Sequence, residues 1–221
     1  MQNPNNSFDS FLNALENSLF NELPGRSAQQ KLEPISRKRF NPFPDPTKPP
    51  RESAVLILLF PENDGLSTAF IKRNEYDGVH SGQVAFPGGK KELTDVSLSF
   101  TALREANEEI GINTEDVQII GNLSIIYIPP SNFNVQPVIG WLPYTPKFLI
   151  DPSEVSMVFS VPLNEIMMEE NIHKKTITLG DGLNIEVPCY IFSDQIIWGA
   201  TSMILSEFIE VVHKADFSNL L

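Results

Sequence analysis

The segment REANEEIGI, Arg104 to Ile112, places Glu105, Glu108 and Glu109 close together. A helix turns by about 100° per residue, so all three carboxylates fall on one arc of about a turn. With Leu103 at zero, Glu108, Glu105 and Glu109 lie near roughly 140°, 200° and 240°. Phe100, Ala106 and Ile110 fall within roughly 60° of Leu103 and form the face expected to pack on a sheet. Glu105 with Glu108, and Glu105 with Glu109, are like-charge pairs that each cost a few tenths of a kcal/mol. They also crowd the helix C-terminus, where the macrodipole disfavours anions. Either this is a solvated acidic face, the ordinary fate of a charged run, or a cation sits on it. Carboxylate oxygens suit Mg2+ or Mn2+ better than zinc. His80, His173 and His213 are far apart and Cys189 is alone, so no zinc-ligand spacing exists.

The elements that must hold this helix can be read around it. A helix is expected from about Ser97 to Ile110, ended by Gly111. Before it, AVLILLF from Ala54 reads as a buried strand, paired with Thr68–Arg73 across a PENDGLS loop. A glycine-rich loop at 78–90 leads into the helix. After it come strand candidates at Val117–Ile120, Leu123–Ile128 and Val135–Leu142. Thr176–Leu179 and Ile185–Phe192, joined through GDGLN, read as a hairpin. Ile197–Val212 carries apolar residues at helical spacing and is expected as a terminal helix with one core face, Trp198 included. This order of strands, helix, strands and helix gives an α/β (α+β) class with a mixed sheet covered by helices. Cys189 falls in a strand pattern as a small apolar filler.

Residues 1–50 form a separate unit. Phe8, Phe11, Leu12, Leu15 and Leu19 recur at helical spacing over residues 7–20, with Ser7 as the expected N-cap. Between Leu23 and Pro50 there are seven prolines, a density that leaves no regular element expected. This arm is a packing appendage or, alternatively, a dimerisation arm. Residues 51–221 make the second unit and carry the chemistry.

The chain has 221 residues, 41% of them hydrophobic, enough for one sizeable core with an extension. Its net charge of −12 argues against a nucleic-acid surface, so any phosphate site must be built locally. MQNPNNSFDS lacks the features of a secretory signal, and the run Ala54–Phe60 is far below the ~20 residues that cross a bilayer. The single cysteine fits a reducing compartment. A cytoplasmic location, with neither nucleic acid nor membrane as partner, is the expectation.

Phe86 to Ile112, FPGGKKELTDVSLSFTALREANEEIGI, resembles the Nudix box. The second half matches at Arg104, Glu105, Ala106, Glu108, Glu109, Gly111 and Ile112. The first half departs: Lys90 and Val96 stand where the box has glycine and glutamate. A loop one residue longer restores Gly89 and puts Asp95 in the glutamate position, where the family's acid supports the loop. The resemblance implies an α/β/α sandwich with a mixed sheet between helices, and hydrolysis of a phosphoanhydride by direct attack of water. It implies Glu105, Glu108 and Glu109 as ligands to Mg2+ (or Mn2+), with Arg104 orienting them. Gly88 and Gly89 would let the backbone bend tightly before the helix. The general base is left between Glu105 and a later acid such as Glu154.

IKRNEYDGVHSGQVAFPGG, Ile71 to Gly89, is similar to the segment preceding the box in coenzyme A pyrophosphatases. YIPPSNFNVQPVIG, VPLNEI and IWGATS extend that similarity to about Val212. It implies Arg73, His80, Gln83, Phe86, Gly88 and Gly89 on the substrate side, with a small nucleotide as partner. Gly78 replaces the second arginine of that motif, and Lys72, Arg73, Lys90 and Lys91 are the cations left to compensate. His80 is either a site residue or a hydrogen bonder that structures its loop. The alternatives are ADP-ribose, NADH or a nucleoside diphosphate sugar as substrate, or a ligand sensor without catalysis. The three clustered acids speak against the sensor.

Overall fold

The computed structural model describes residues 4–35, 37, 40–63, 65–75, 82–178 and 182–215. Helix α1 (Pro4–Phe20) and a short helix α2 (Arg26–Gln29) come first. Strands β1 (Arg51–Glu62), β2 (Gly65–Arg73), β3 (Val84–Ala85) and β4 (Gly88–Lys90) lead to helix α3 (Leu98–Ile110). Strands β5 (Gln118–Asn122), β6 (Ile126–Ile128), β7 (Phe133–Trp141) and β8 (Val155–Pro162) follow. After α4 (Leu163–Ile166) come β9 (Ile172–Thr178), β10 (Asn184–Phe192), β11 (Gln195–Trp198) and α5 (Gly199–Lys214).

The main sheet runs β3-β2-β1-β7-β5, with β4 and β6 added on β1 and β7 and β8 added on β2. β1 and β7 are parallel, whereas β1 and β2 are antiparallel, so the sheet is mixed. Side chains alternate across a strand, and β1 serves two cores. Ala54, Leu56, Leu58 and Phe60 meet Ala102, Ala106 and Ile110 of α3. Ile57 and Leu59 meet Phe11, Leu12 and Leu15 of α1 and Ile204, Leu205, Phe208 and Val211 of α5. Covering both faces explains why AVLILLF is continuously apolar. This is the expected sandwich of a mixed sheet between helices. Among the described residues no helix is long and apolar enough to cross a membrane.

Several elements differ from expectation. Helix α1 (Pro4–Phe20) already includes Ser7, so Ser7 is not its N-cap as expected. The proline-rich stretch does contain regular structure: Pro24 and Pro34 flank α2 and a 3-10 turn over Gln30–Leu32, which bury Ala28 and Leu32. β1 and β2 run through the expected PENDGLS loop to a tight turn, with Glu62 paired to Gly65. Ile197 belongs to a strand, not a helix. Ser193 and Asp194 adopt positive φ values of 48° and 61°, which fold β11 back on β10. β8 was not anticipated; its half-exposed pattern lacks clean alternation. Leu179, the expected end of the first hairpin strand, lies outside the described residues.

Beyond the apolar packing of α1, one buried acid gathers the segment that follows it. Glu207 on α5 is fully buried and accepts hydrogen bonds from Gly25 N (3.1 Å), Ser124 N (3.1 Å) and Gln29 Nε2 (2.8 Å). Ser206 Oγ donates to Ala28 O at 2.9 Å beside it. Removing the acceptor leaves three donors with reduced access to water, at roughly 1–3 kcal/mol for each one left unpaired. Glu207→Ala is therefore expected to lower stability by about 3 kcal/mol in urea unfolding. A loss below about 1 kcal/mol would show that this contact does not hold the arm.

Candidate active site

Helix α3 is capped at both ends by its own sequence. Ser97 Oγ accepts from Phe100 N at 3.1 Å, and Gly111 takes the left-handed conformation at φ 69°. The last carbonyls are then occupied by a loop from the far side of the domain. Leu149 N donates to Ile110 O (2.9 Å) and Asp151 N to Glu109 O (3.1 Å). That loop carries Glu154 back toward the end of β2, where Asn74 N donates to Glu154 O at 3.1 Å.

The buried face of α3 is rotated from the expected one. Thr101, Ala102, Ala106, Glu109 and Ile110 are buried, while Phe100 is 45% exposed. Glu109 thus lies on the packed face rather than opposite it. Two partners make this tolerable. Gly88 N donates to Glu109 Oε2 at 2.8 Å, and Arg73 Nη1 forms an ion pair with Oε1 at 3.1 Å. The pair is not at a hydrogen-bonding angle, so Oε1 is buried without a hydrogen bond. Burial pushes the Glu109 carboxyl up to about 7; Arg73 and Gly88 pull it down, and the charges of Glu105 and Glu154 add to the rise. Burial also raises Glu105, opposed by Arg104.

Arg104 holds the neighbouring acids. Its Nε and Nη2 each lie 3.0 Å from Asp95, its Nη2 2.9 Å from Glu105 and its Nη1 2.8 Å from Glu108. Asp95 also accepts from Glu92 N and Thr101 Oγ1, both at 2.9 Å, and its carboxyl is held well below the usual range chiefly by Arg104. The like-charge penalties among the helix glutamates are thus offset by Arg104 and Arg73 within the chain itself.

Glycines 88 and 89 do not make a bend; they form a strand against β1 and allow close approach. A Cβ on Gly88 would stand 2.3 Å from Ala54 O, and one on Gly89 would stand 2.3 Å from the Glu105 carboxylate. Arg73 reaches the same place from β2, with Nη2 donating to Gly88 O at 2.6 Å. Arg73, Gly88, Gly89, Glu105 and Glu109 are therefore brought together. Glu108 is tied to Arg104 with its side chain 53% exposed. Gln83 contributes its backbone, accepting from Arg73 N at 3.0 Å. Phe86 is buried and stacked on Phe70 at 4.7 Å, so its ring anchors the loop from within the core rather than facing the site. His80 and Gly78 lie outside the described residues. Among the described residues, no three acid, histidine or cysteine side chains form a ready-made metal cage. Glu154 was named as a candidate acid, but the capping of α3 by residues 149–151 of its loop was not anticipated. The turn residues of Asp151-Pro152-Ser153 were its available signal.

The shift of Glu109 has a consequence for stability. Its folded-state value is raised from 4.5 to about 7, so the fold favours the neutral acid. That stabilisation is fully present below about pH 4.5 and is lost as pH rises through about 7, amounting to about 3 kcal/mol. In protein stripped of divalent cations, wild type should lose stability relative to Glu109→Gln by roughly that amount between pH 5 and 8, by chemical denaturation. A difference that stays flat would contradict it. The Asp95 contribution falls in a lower pH window and cancels in the comparison.

A family model described as NUDIX domain matches residues 50–179. The proteins named Uncharacterized Nudix hydrolase NudL from Yersinia pestis (strain Pestoides F) and from Yersinia pseudotuberculosis (serotype O:1b, strain IP 31758) are each 36% identical over 164 residues. The match spans 73% of this chain and 80% of theirs. Among solved structures, the Nudix hydrolase RenU from M. Smegmatis is similar at TM-score 0.53 and 13% identity, over 75% of this chain and 88% of that one. A MutT/nudix family protein from Enterococcus faecalis is similar at TM-score 0.51 and 18% identity, over 84% and 73%. The two structures support the fold, and the family match and the sequence relatives carry the rest. With the box helix, its arginine and its carboxylates in place, the chain belongs to the Nudix hydrolases, enzymes that hydrolyse pyrophosphate linkages in nucleoside diphosphate derivatives.

Proposed function

We propose that this protein hydrolyses the pyrophosphate of coenzyme A with the help of Mg2+ or Mn2+, giving 4′-phosphopantetheine and adenosine 3′,5′-bisphosphate. The observation that carries a cation-assisted reaction is Glu109. It is a buried carboxylate with an oxygen that has no hydrogen bond, beside the half-buried Glu105. Two hard oxygen donors converging where water is largely excluded suit a divalent cation, and a cation there would offset the burial that raises Glu109. Glu105 and Glu109 would hold it, joined by Glu108 when that side chain leaves Arg104. When bound, such a cation neutralises charge on the transferring phosphoryl group and lowers the pKa of a bound water.

The chain's own residues supply the rest. Asp95 fixes Arg104, and Arg104 fixes Glu105, so the carboxylate is positioned before substrate arrives. Arg73 brings a guanidinium to the same point, the natural partner of a pyrophosphate oxygen. The coenzyme A reading rests on the match of Arg73, His80, Gln83 and Phe86–Gly89 to the coenzyme A pyrophosphatase motif. The loss of an arginine at Gly78 is the feature against it. Lys72 and Lys90 are the nearby cations with no ion pair among the described residues.

Hydrolysis should be measured with Mg2+ and with Mn2+ on coenzyme A, ADP-ribose, NADH, a nucleoside diphosphate sugar and a dinucleoside polyphosphate. Coenzyme A is expected to give the highest kcat/KM. Turnover of another class with none on coenzyme A would overturn the substrate, and binding without any turnover would favour the sensor. Glu105→Gln and Glu109→Gln should each lower kcat by at least about 100-fold while remaining folded. Wild-type rates in either would refute their assigned role.

A further inference from the structure

Arg51 is an exposed arginine with no carboxylate beside it. Arg37, Arg73 and Arg104 each meet a glutamate, whereas Arg51 forms no ion pair among the described residues. It is held all the same. Its Nη2 donates to Ser131 O at 3.0 Å, and its Cζ lies 4.0 Å from the centre of the Phe133 ring. Its backbone is fixed by the same turn, Arg51 N donating to Asn132 O at 2.9 Å. Asn132 takes the left-handed conformation at φ 51°, accepts from Tyr127 Oη at 3.0 Å and donates through Nδ2 to Lys48 O at 3.4 Å. One turn thus fastens the end of the N-terminal arm to the β6–β7 hairpin and presents Arg51 on an aromatic ring.

The strand register places this arginine relative to the glutamates. Ala54 stands opposite Gly89, whose Cα lies against the Glu105 carboxylate. Arg51 is three residues further along β1, about 10 Å at the usual rise of a strand. That is on the scale of the distance between an anhydride and a phosphate on the ribose of the same nucleotide. Side chains alternate along paired strands, so Gly89 faces α3, while Lys90 and Arg51 share the other face. Among the described residues β4 pairs with β1 alone, so a substrate can cross its open edge from the glutamates, past Lys90, to Arg51.

We propose that Arg51 binds a further phosphate of the substrate, a monoester on the ribose, and so selects coenzyme A over nucleotides that carry the anhydride alone. A guanidinium has five N–H donors in a planar fork, and Ser131 takes one of them. The remaining donors of this exposed side chain bond nothing else among the described residues. A phosphate monoester is the acceptor that fits such a fork through two oxygens. The chain's net charge of −12 repels a polyanion in general, so a cation without an acid partner is where one can be held. The Phe133 ring and the Ser131 carbonyl keep the guanidinium in place before substrate arrives, which limits the side-chain entropy lost on binding.

This inference rests on the coenzyme A reading, and the experiment separates the two. Hydrolysis of coenzyme A and of 3′-dephospho-coenzyme A would be compared in wild type, Arg51→Gln and Arg51→Lys. Binding of adenosine 3′,5′-bisphosphate and of AMP would be followed by calorimetry. If wild type hydrolyses neither substrate, the coenzyme A reading fails and this assignment fails with it. If wild type is active, kcat/KM for coenzyme A should exceed that for 3′-dephospho-coenzyme A by at least about tenfold. Arg51→Gln should bring the two values within about twofold of each other, with the loss carried by KM for coenzyme A. It should also bind the bisphosphate no more tightly than AMP. Arg51→Lys, which keeps the charge without the fork, should give an intermediate preference. An active wild type with no preference, or a preference untouched in Arg51→Gln, would overturn the assignment and leave the coenzyme A reading standing. So would an equal loss on both substrates, which would make Arg51 a support of the fold.

Discussion

The site depends on one buried contact: the Glu109 carboxylate, held between the Arg73 guanidinium and the Gly88 amide. An isolated carboxylate moved out of water would neutralise itself rather than stay charged. Here a cation from β2 and a strand amide hold it near the balance point, pushed up to about 7. A buried pair of this kind is weak evidence for stability, since desolvation opposes it. Its value lies in what it leaves open, an acceptor oxygen with no hydrogen bond in a place where water cannot freely serve it.

Much of the architecture arranges the three partners of that contact. Gly88 reaches Glu109 because β4 pairs directly with β1, which only a residue without Cβ permits at that spot. Arg73 reaches it because β2 changes register against β8. Glu109 stays in place because Ala102, Ala106 and Ile110 lock α3 on the sheet and the loop 149–151 closes the helix end. On the outer side, Asp95 and Arg104 do the same for Glu105. Asp95 answers both the shorter acid and the longer loop: it meets the Arg104 fork through two oxygens while also pinning Glu92 and Thr101.

The sequence made some of this visible and hid the rest for physical reasons. The helix and its stop at Gly111 follow from local chemistry, and so does the burial of AVLILLF, whereas the cap at Ser97 emerged only in the structure. The acid cluster and the box were legible because they are contiguous. The orientation of α3 was not. A helical wheel assigns the packed face to apolar residues, and here a charged residue occupies it because its partners come from β2 and β4. β8 was missed because a half-exposed strand between prolines has no strong period. Glu207, which gathers the arm around three donors, looks in sequence like any polar residue on a helix. Phe86 read as a site residue from its neighbours, whereas its bulk sends it into the core.

The central claim is that Glu105 and the buried Glu109 form a cation site that substrate uses. The most direct measurement is an anomalous difference map from crystals of the protein soaked in Mn2+. The account predicts a manganese peak bonded to the carboxylates of Glu105 and Glu109. No peak there, or a peak elsewhere with the Glu109–Arg73 pair unchanged, would contradict it.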